Sequence, residues 1–164
     1  MKRTALALTT AGLASGLLLA GTVPADATIK ALGIAGVRTN MAKGEVRAVK
    51  GEPRDIGYGR VSMVGKVTRW KYGRNGDRLT VTFAEGVVIQ VATKSEKQRT
   101  KLGVGPGSPA SLFKEKYPAQ ASTCYRVRPG VKNCGYTPDP GAHELSFQVS
   151  GDRVVKVVAV LGTY

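Results

Sequence analysis

Apolar and polar positions alternate strictly through Leu79, Thr80, Val81, Thr82 and Phe83, the period-two pattern of a strand with one buried face. Extended runs flank this segment across Asn75-Gly76-Asp77 and Glu85-Gly86, which predicts an antiparallel meander over residues 69–94. The alternation returns in Leu145, Ser146, Phe147, Gln148 and Val149, followed by Gly151-Asp152 and a second valine-rich run. Leu79 and Leu145 lie 66 positions apart, and the same offset relates Val88 to Val154, Val91 to Val157, Arg60 to Arg126, Val61 to Val127 and Trp70 to Tyr136. The pattern reads as one unit written twice.

The other elements fall around these meanders. Residues 28–38 are apolar and interrupted by glycine, a lead-in segment. Residues 40–50 place Met41, Val46 and Val49 on one helical face, with Thr39 or Asn40 as cap and Gly51 and Pro53 as stop signals. A strand is expected over 60–64, and Gly65-Lys66 turns it into residues 67–72, where Trp70 and Tyr72 share one face and Arg69 and Lys71 the other. Residues 93–101 lack any large apolar side chain and read as a linker or crossover. Ser108-Pro109 opens a second helix whose apolar face is Leu112, Phe113 and Tyr117, with Pro118 ending it. Val46 and Leu112 are again 66 apart, so the helix belongs to the repeat. Pro129-Gly130 and the stretch 138–141 are turns, and residues 144–150 and 153–161 are the last strands. The final run, apolar on both parities, is expected to be buried in a sheet.

Composition changes this picture at the N-terminus and at the surface. Met1-Lys2-Arg3, an uncharged apolar run to Ala20 and the small-residue site Ala25-Asp26-Ala27 predict a secretory leader, residues 1–27, cleaved after Ala27. No cysteine lies near that site, so no lipid attachment is expected, and the apolar run is too short and too rich in glycine to be read as a transmembrane anchor. Without Lys2, Arg3 and Asp26 the remainder carries 23 basic and 10 acidic side chains. Such a surplus favours acidic or polyanionic partners and says nothing about fold. Cys124 and Cys134 are brought opposite each other by the Pro129-Gly130 turn, which in a secreted chain predicts a disulfide stapling one hairpin.

Catalytic chemistry finds little support. His143 is the lone histidine, and a hydrolytic role would need Asp139 or Glu144 beside it. Those three residues on one turn are also a thin basis for a metal site. Gly103 to Gly107 is followed by neither Lys-Ser nor Lys-Thr, so no phosphate loop is expected. No cofactor is implied. The candidate binding surface is Arg60, Arg69, Trp70, Lys71, Arg126 and Arg128, extended by Lys94, Lys97, Arg99 and Lys101; packing of Trp70 on the first helix is the favoured reading for that residue.

The segments M-x-x-x-E-V-R-x-x-x-G-x-P at Met41 to Pro53, W-x-Y-G at Trp70 to Gly73 and the strand pair around Leu79 resemble the small envelope modules of the SmpA/OmlA type. With G-x-G-S at Gly105 to Ser108 opening the second helix, the doubled form looks like the tandem arrangement of beta-lactamase inhibitor protein. The resemblance departs at Ala42, where the family pattern has a Ser or Thr cap. It implies an α+β fold of two tandem repeats, residues 28–94 and 95–164, each a short helix on an antiparallel sheet of about four strands, with a concave sheet face that binds protein. An all-β fold is the rival. The expected function is that of a monomeric, secreted, non-catalytic binding protein of the cell envelope or medium, recognising a protein or polyanionic envelope component and showing no nucleic-acid specificity. The alternatives are an inhibitor of a secreted enzyme and a hydrolase using His143.

Overall fold

The computed structural model describes residues 29–135 and 143–161. The stretch expected to be a leader, Tyr136 and the turn expected over 138–141 lie outside the described residues. The described chain opens with three two-residue strands, β1 (Ile29–Lys30), β2 (Gly33–Ile34) and β3 (Val37–Arg38), paired antiparallel in that order. Sequence reading gave this stretch no structure of its own. Ile29, Ile34 and Val37 are nonetheless fully buried, because β2 packs on the middle of the main sheet.

The first helix, α1 (Lys43–Lys50), starts later than predicted and is capped differently. Asn40 adopts a left-handed φ of 67° and donates its N–H to the Val88 carbonyl, while the Thr39 hydroxyl turns to Leu32 and His143. The capping position falls to Ala42, whose N–H donates to Glu45 Oε2 at 2.7 Å. Val46 and Met41 are buried, whereas Val49 is exposed rather than part of the inner face. Gly51 ends the helix at φ 74° and donates to the Arg47 carbonyl, as its position predicts.

Four strands follow, β4 (Asp55–Val61), β5 (Gly65–Tyr72), β6 (Leu79–Ala84) and β7 (Val87–Thr93). A crossover leads to α2 (Ala110–Lys116) and α3 (Pro118–Ser122), then to β8 (Tyr125–Arg128), β9 (Val131–Cys134), β10 (His143–Ser150) and β11 (Arg153–Leu161). The crossover is tied down: Ser95 Oγ and Lys97 Nζ both donate to the Asp77 carboxylate at 2.8 Å. Ser108 does not cap α2. Its hydroxyl accepts the Gly105 N–H, and Pro109 holds the capping position. Pro118 both stops α2 and supplies the first residue of α3, a helix that sequence reading did not foresee.

The expectation of an α+β fold built from two separate helix-on-sheet units is corrected by the sheet itself. All eight long strands form one antiparallel sheet in the order β4-β5-β6-β7-β11-β10-β9-β8, and strands dominate the described chain. The reason lies in the last strand. β11 is apolar on both faces and hydrogen-bonds along both edges, with Val158 opposite Ala92 of β7 on one side and Ser146 of β10 on the other. The offset of 66 has a local counterpart in hairpin register: Leu79 pairs with Thr93, Leu145 pairs with Ala159, and bulges fall at Thr82/Phe83 and Gln148/Val149. These are two hairpins of one sheet.

The core lies on one face, where Trp70, Phe83, Val91, Phe147 and Val157 meet Val46 of α1, Ile34 of β2 and Phe113 of α2. Tilted aromatic pairs join Trp70 to Phe83 at 4.7 Å and Phe113 to Phe147 at 4.8 Å. At the β8 edge the Cys124–Cys134 disulfide closes the hairpin around Gly130, whose φ of 72° is the left-handed value its turn requires.

Candidate functional site

Alternation sends Arg69 and Lys71 of β5, Thr82 of β6 and Gln90 of β7 to the face opposite the core, together with Lys156 and Val158 of β11 and Gln148 of β10. Among the described residues no helix covers this face. The sheet curls strongly across it, so that Val61 and Val64 near one edge and Tyr125 at the other line a single cavity of about 250 Å³ with Val158 between them.

A chain of hydrogen bonds lines one wall of that cavity. Ser146 Oγ donates to Asn133 Oδ1 at 2.7 Å, and Asn133 Nδ2 donates to Tyr125 Oη at 3.0 Å. Ser146 and Asn133 are buried and have found partners, as buried polar groups must. The Tyr125 hydroxyl, having accepted, keeps its proton for a ligand.

The floor holds Lys156. Burial pushes its ammonium pKa down, and the positive charges of Lys94, Arg128 and Arg69 push it further in the same direction. No carboxylate among the described residues forms an ion pair with any of these four cations. A half-buried lysine facing three like charges is costly to the fold, and an incoming anion relieves that cost. Arg69 reaches its place across Gly59 of β4: a Cβ there would stand 2.5 Å from the Arg69 Nη1.

The residues singled out from sequence do not all gather here. Arg69 and Arg128 do. Lys71 shares their face but is paired with Asp55, whose carboxylate pKa is lowered chiefly by that hydrogen bond. Trp70 is buried on the core face, with the Arg47 guanidinium 5.0 Å above its ring, so it packs on α1 and offers no binding surface. Arg60 points to the core side of edge strand β4, in parity with Ile56 opposite Trp70. Arg126 lies at the far edge and borders a groove under α2 and α3. The single cationic surface expected of Arg60, Arg69, Lys71, Arg126 and Arg128 is therefore split, because strand alternation puts Arg60 and Arg126 on the side away from Arg69. Lys97 is paired with Asp77, and the Arg99 guanidinium donates to the Pro106 carbonyl.

Sequence reading missed Lys156, Tyr125, Asn133, Ser146 and Gln148. The signal for Lys156 was present: a lone lysine inside V-V-K-V-V-A-V must either be buried or stand on a face left open. His143 Nδ1 lies 3.0 Å from the Thr39 hydroxyl, and both cysteines are in the disulfide. No three of His, Cys, Asp and Glu cluster as metal ligands among the described residues.

No family model matches the chain, and no curated protein matches it. Among solved structures it is similar to an extracellular protein containing a SCP domain from Bacillus anthracis str. Ames, with TM-score 0.48, 14% identity, 74% of this chain and 43% of that chain covered. It is also similar to a cysteine-rich secretory protein from Staphylococcus aureus subsp. aureus Mu50, with TM-score 0.42, 15% identity, 75% of this chain and 44% of that one covered. The chain thus spans less than half the length of either.

Proposed function

We propose that the chain is a secreted, non-catalytic binding protein that holds an acidic protein partner on the open face of its sheet. The observation that carries this reading is Lys156, set in the floor of a concave face with Arg69, Lys94 and Arg128 around it and no carboxylate paired to them among the described residues. At about 250 Å³ the cavity is smaller than the roughly 300–1,000 Å³ of ordinary small-molecule sites, so it suits one inserted side chain of a larger partner. The aliphatic side chains of Ile89, Val160 and Leu161, which line the same cavity as Lys156, match an interface with an apolar surround and a charged anchor. The leader-like N-terminal stretch and the Cys124–Cys134 disulfide support export to an oxidising compartment.

The test uses polyglutamate as an acidic probe, titrated onto the full chain over a range of salt. Affinity is expected to fall steeply with ionic strength and to drop at least tenfold in Arg69→Glu with Arg128→Glu, a change of about 1.4 kcal/mol. Binding indifferent to salt, or retained in that double variant, would reduce the cationic face to solubilising charge.

A further inference from the structure

A second cavity, on the core side of the sheet, belongs to no part of the function proposed above. It runs between the α2–α3 pair and the β8–β9 hairpin and measures about 510 Å³, within the roughly 300–1,000 Å³ range of small-molecule sites. Its floor is apolar, formed by Phe113, Val131 and Val149 with the Cys124–Cys134 disulfide. Its border carries Lys114 of α2, Arg126 of β8 and Lys132 of β9, with no acidic side chain in the lining. Arg126 and Lys132 are cross-strand partners, so two cations stand side by side on one wall. Neither they nor Lys114 form an ion pair among the described residues.

The geometry points to a binding site for a long-chain carboxylate, its acyl chain on the apolar floor and its head group between Arg126 and Lys132. Two features select this chemistry. An apolar body with an anionic head matches the split between floor and border, since burying the chain is favourable while the charge stays at a partly wet, cationic mouth. The floor also offers little to a peptide: β9 is hydrogen-bonded to β8 on one edge and to β10 on the other, so the free ladder an extended segment needs is found at the outer edge of β8 and not along β9. An acyl chain needs no hydrogen bonds along its length.

Calorimetric titration of the full chain with dodecanoate below its micellar concentration tests the site. One saturable site is expected, about tenfold weaker in Arg126→Glu with Lys132→Glu, where two head-group contacts are reversed at exposed positions. Ala121→Leu, which fills the groove from α3, is expected to weaken dodecanoate without altering the open-face response to polyglutamate. Dodecyltrimethylammonium, with the same tail and opposite charge, is expected not to bind. Absence of saturable dodecanoate binding, equal binding of the cationic surfactant, or tighter binding of a short peptide with a free C-terminus would each overturn the assignment.

Discussion

Lys156 of β11 stands directly opposite Gln148 of β10 on the open face of the sheet, a cross-strand pair in which a cation meets an amide rather than a carboxylate. The native state therefore carries an ammonium whose pKa is held below the ordinary 10.5 by burial first and by Lys94, Arg128 and Arg69 after it. A lysine depressed in this way binds fewer protons folded than unfolded, so stability rises with pH between the depressed value and 10.5. Below that window the penalty is complete.

Lys156→Met is thus expected to raise the melting temperature by a few degrees at pH 7 while weakening polyglutamate binding. The gain should shrink as pH climbs toward 10.5, where the wild-type lysine loses its charge, and it should shrink at high salt, which screens the like charges. Thermal melts across pH and salt check this. A variant that is less stable at neutral pH would mean that the lysine has a native partner.

The hairpins were legible because a strand with one buried face writes its period into the sequence, as Leu79 to Phe83 do. The disulfide was legible because Pro129-Gly130 sets the turn between its two cysteines. The join of β7 to β11 was not. Ala92 opposite Val158 is a pairing between segments far apart in the chain, and nothing local distinguishes it from two sheets kept separate. The three short strands at Ile29–Arg38 were hidden because two residues cannot display a period. At the site, alternation correctly separated Arg69 from Trp70 but said nothing of curvature. It is curvature that brings Tyr125 and Val61, near opposite edges, around Lys156.

The β8–β9 hairpin lies at the sheet edge, where all four residues of β8 are exposed and only β9 holds them. Its attachment rests heavily on the Cys124–Cys134 disulfide, with a sequence separation of 10. Replacing both cysteines by serine is expected to cost roughly 2 to 3 kcal/mol on the chain-entropy account of a short loop. Guanidinium unfolding measures the loss. Hydrogen exchange should locate the loosening in β8, and uniform loosening across the sheet would argue for a wider role.

The start of α1 is half a capping box. Glu45 reaches back to the Ala42 N–H, but the Ala42 methyl cannot accept from the first-turn amides. Its extended backbone, φ −73° and ψ 159°, already has the geometry of a capping residue, and the position is exposed. Ala42→Ser should stabilise the fold by about 1 kcal/mol, read as a higher denaturation midpoint with unchanged slope. No gain would show that the amides are already satisfied.

The placement of Arg69 is testable without altering any charge. Gly57 is its direct partner on β4 and Gly59 lies two residues further along the same face, yet their surroundings differ. A Cβ at Gly57 meets nothing within 4 Å, whereas one at Gly59 would lie 2.5 Å from Arg69 Nη1 and 3.2 Å from Cζ. Neither glycine has a positive φ, so alanine is admissible at both and should stabilise the strand by about 0.5–1 kcal/mol through lost chain freedom in the unfolded state. Only Gly59→Ala must push the guanidinium off its resting place against β4. Polyglutamate affinity is accordingly expected to fall severalfold in Gly59→Ala and to stay at the wild-type value in Gly57→Ala, with similar gains in stability for the two. Equal affinity in both variants would show that the seat of Arg69 over Gly59 is incidental to binding.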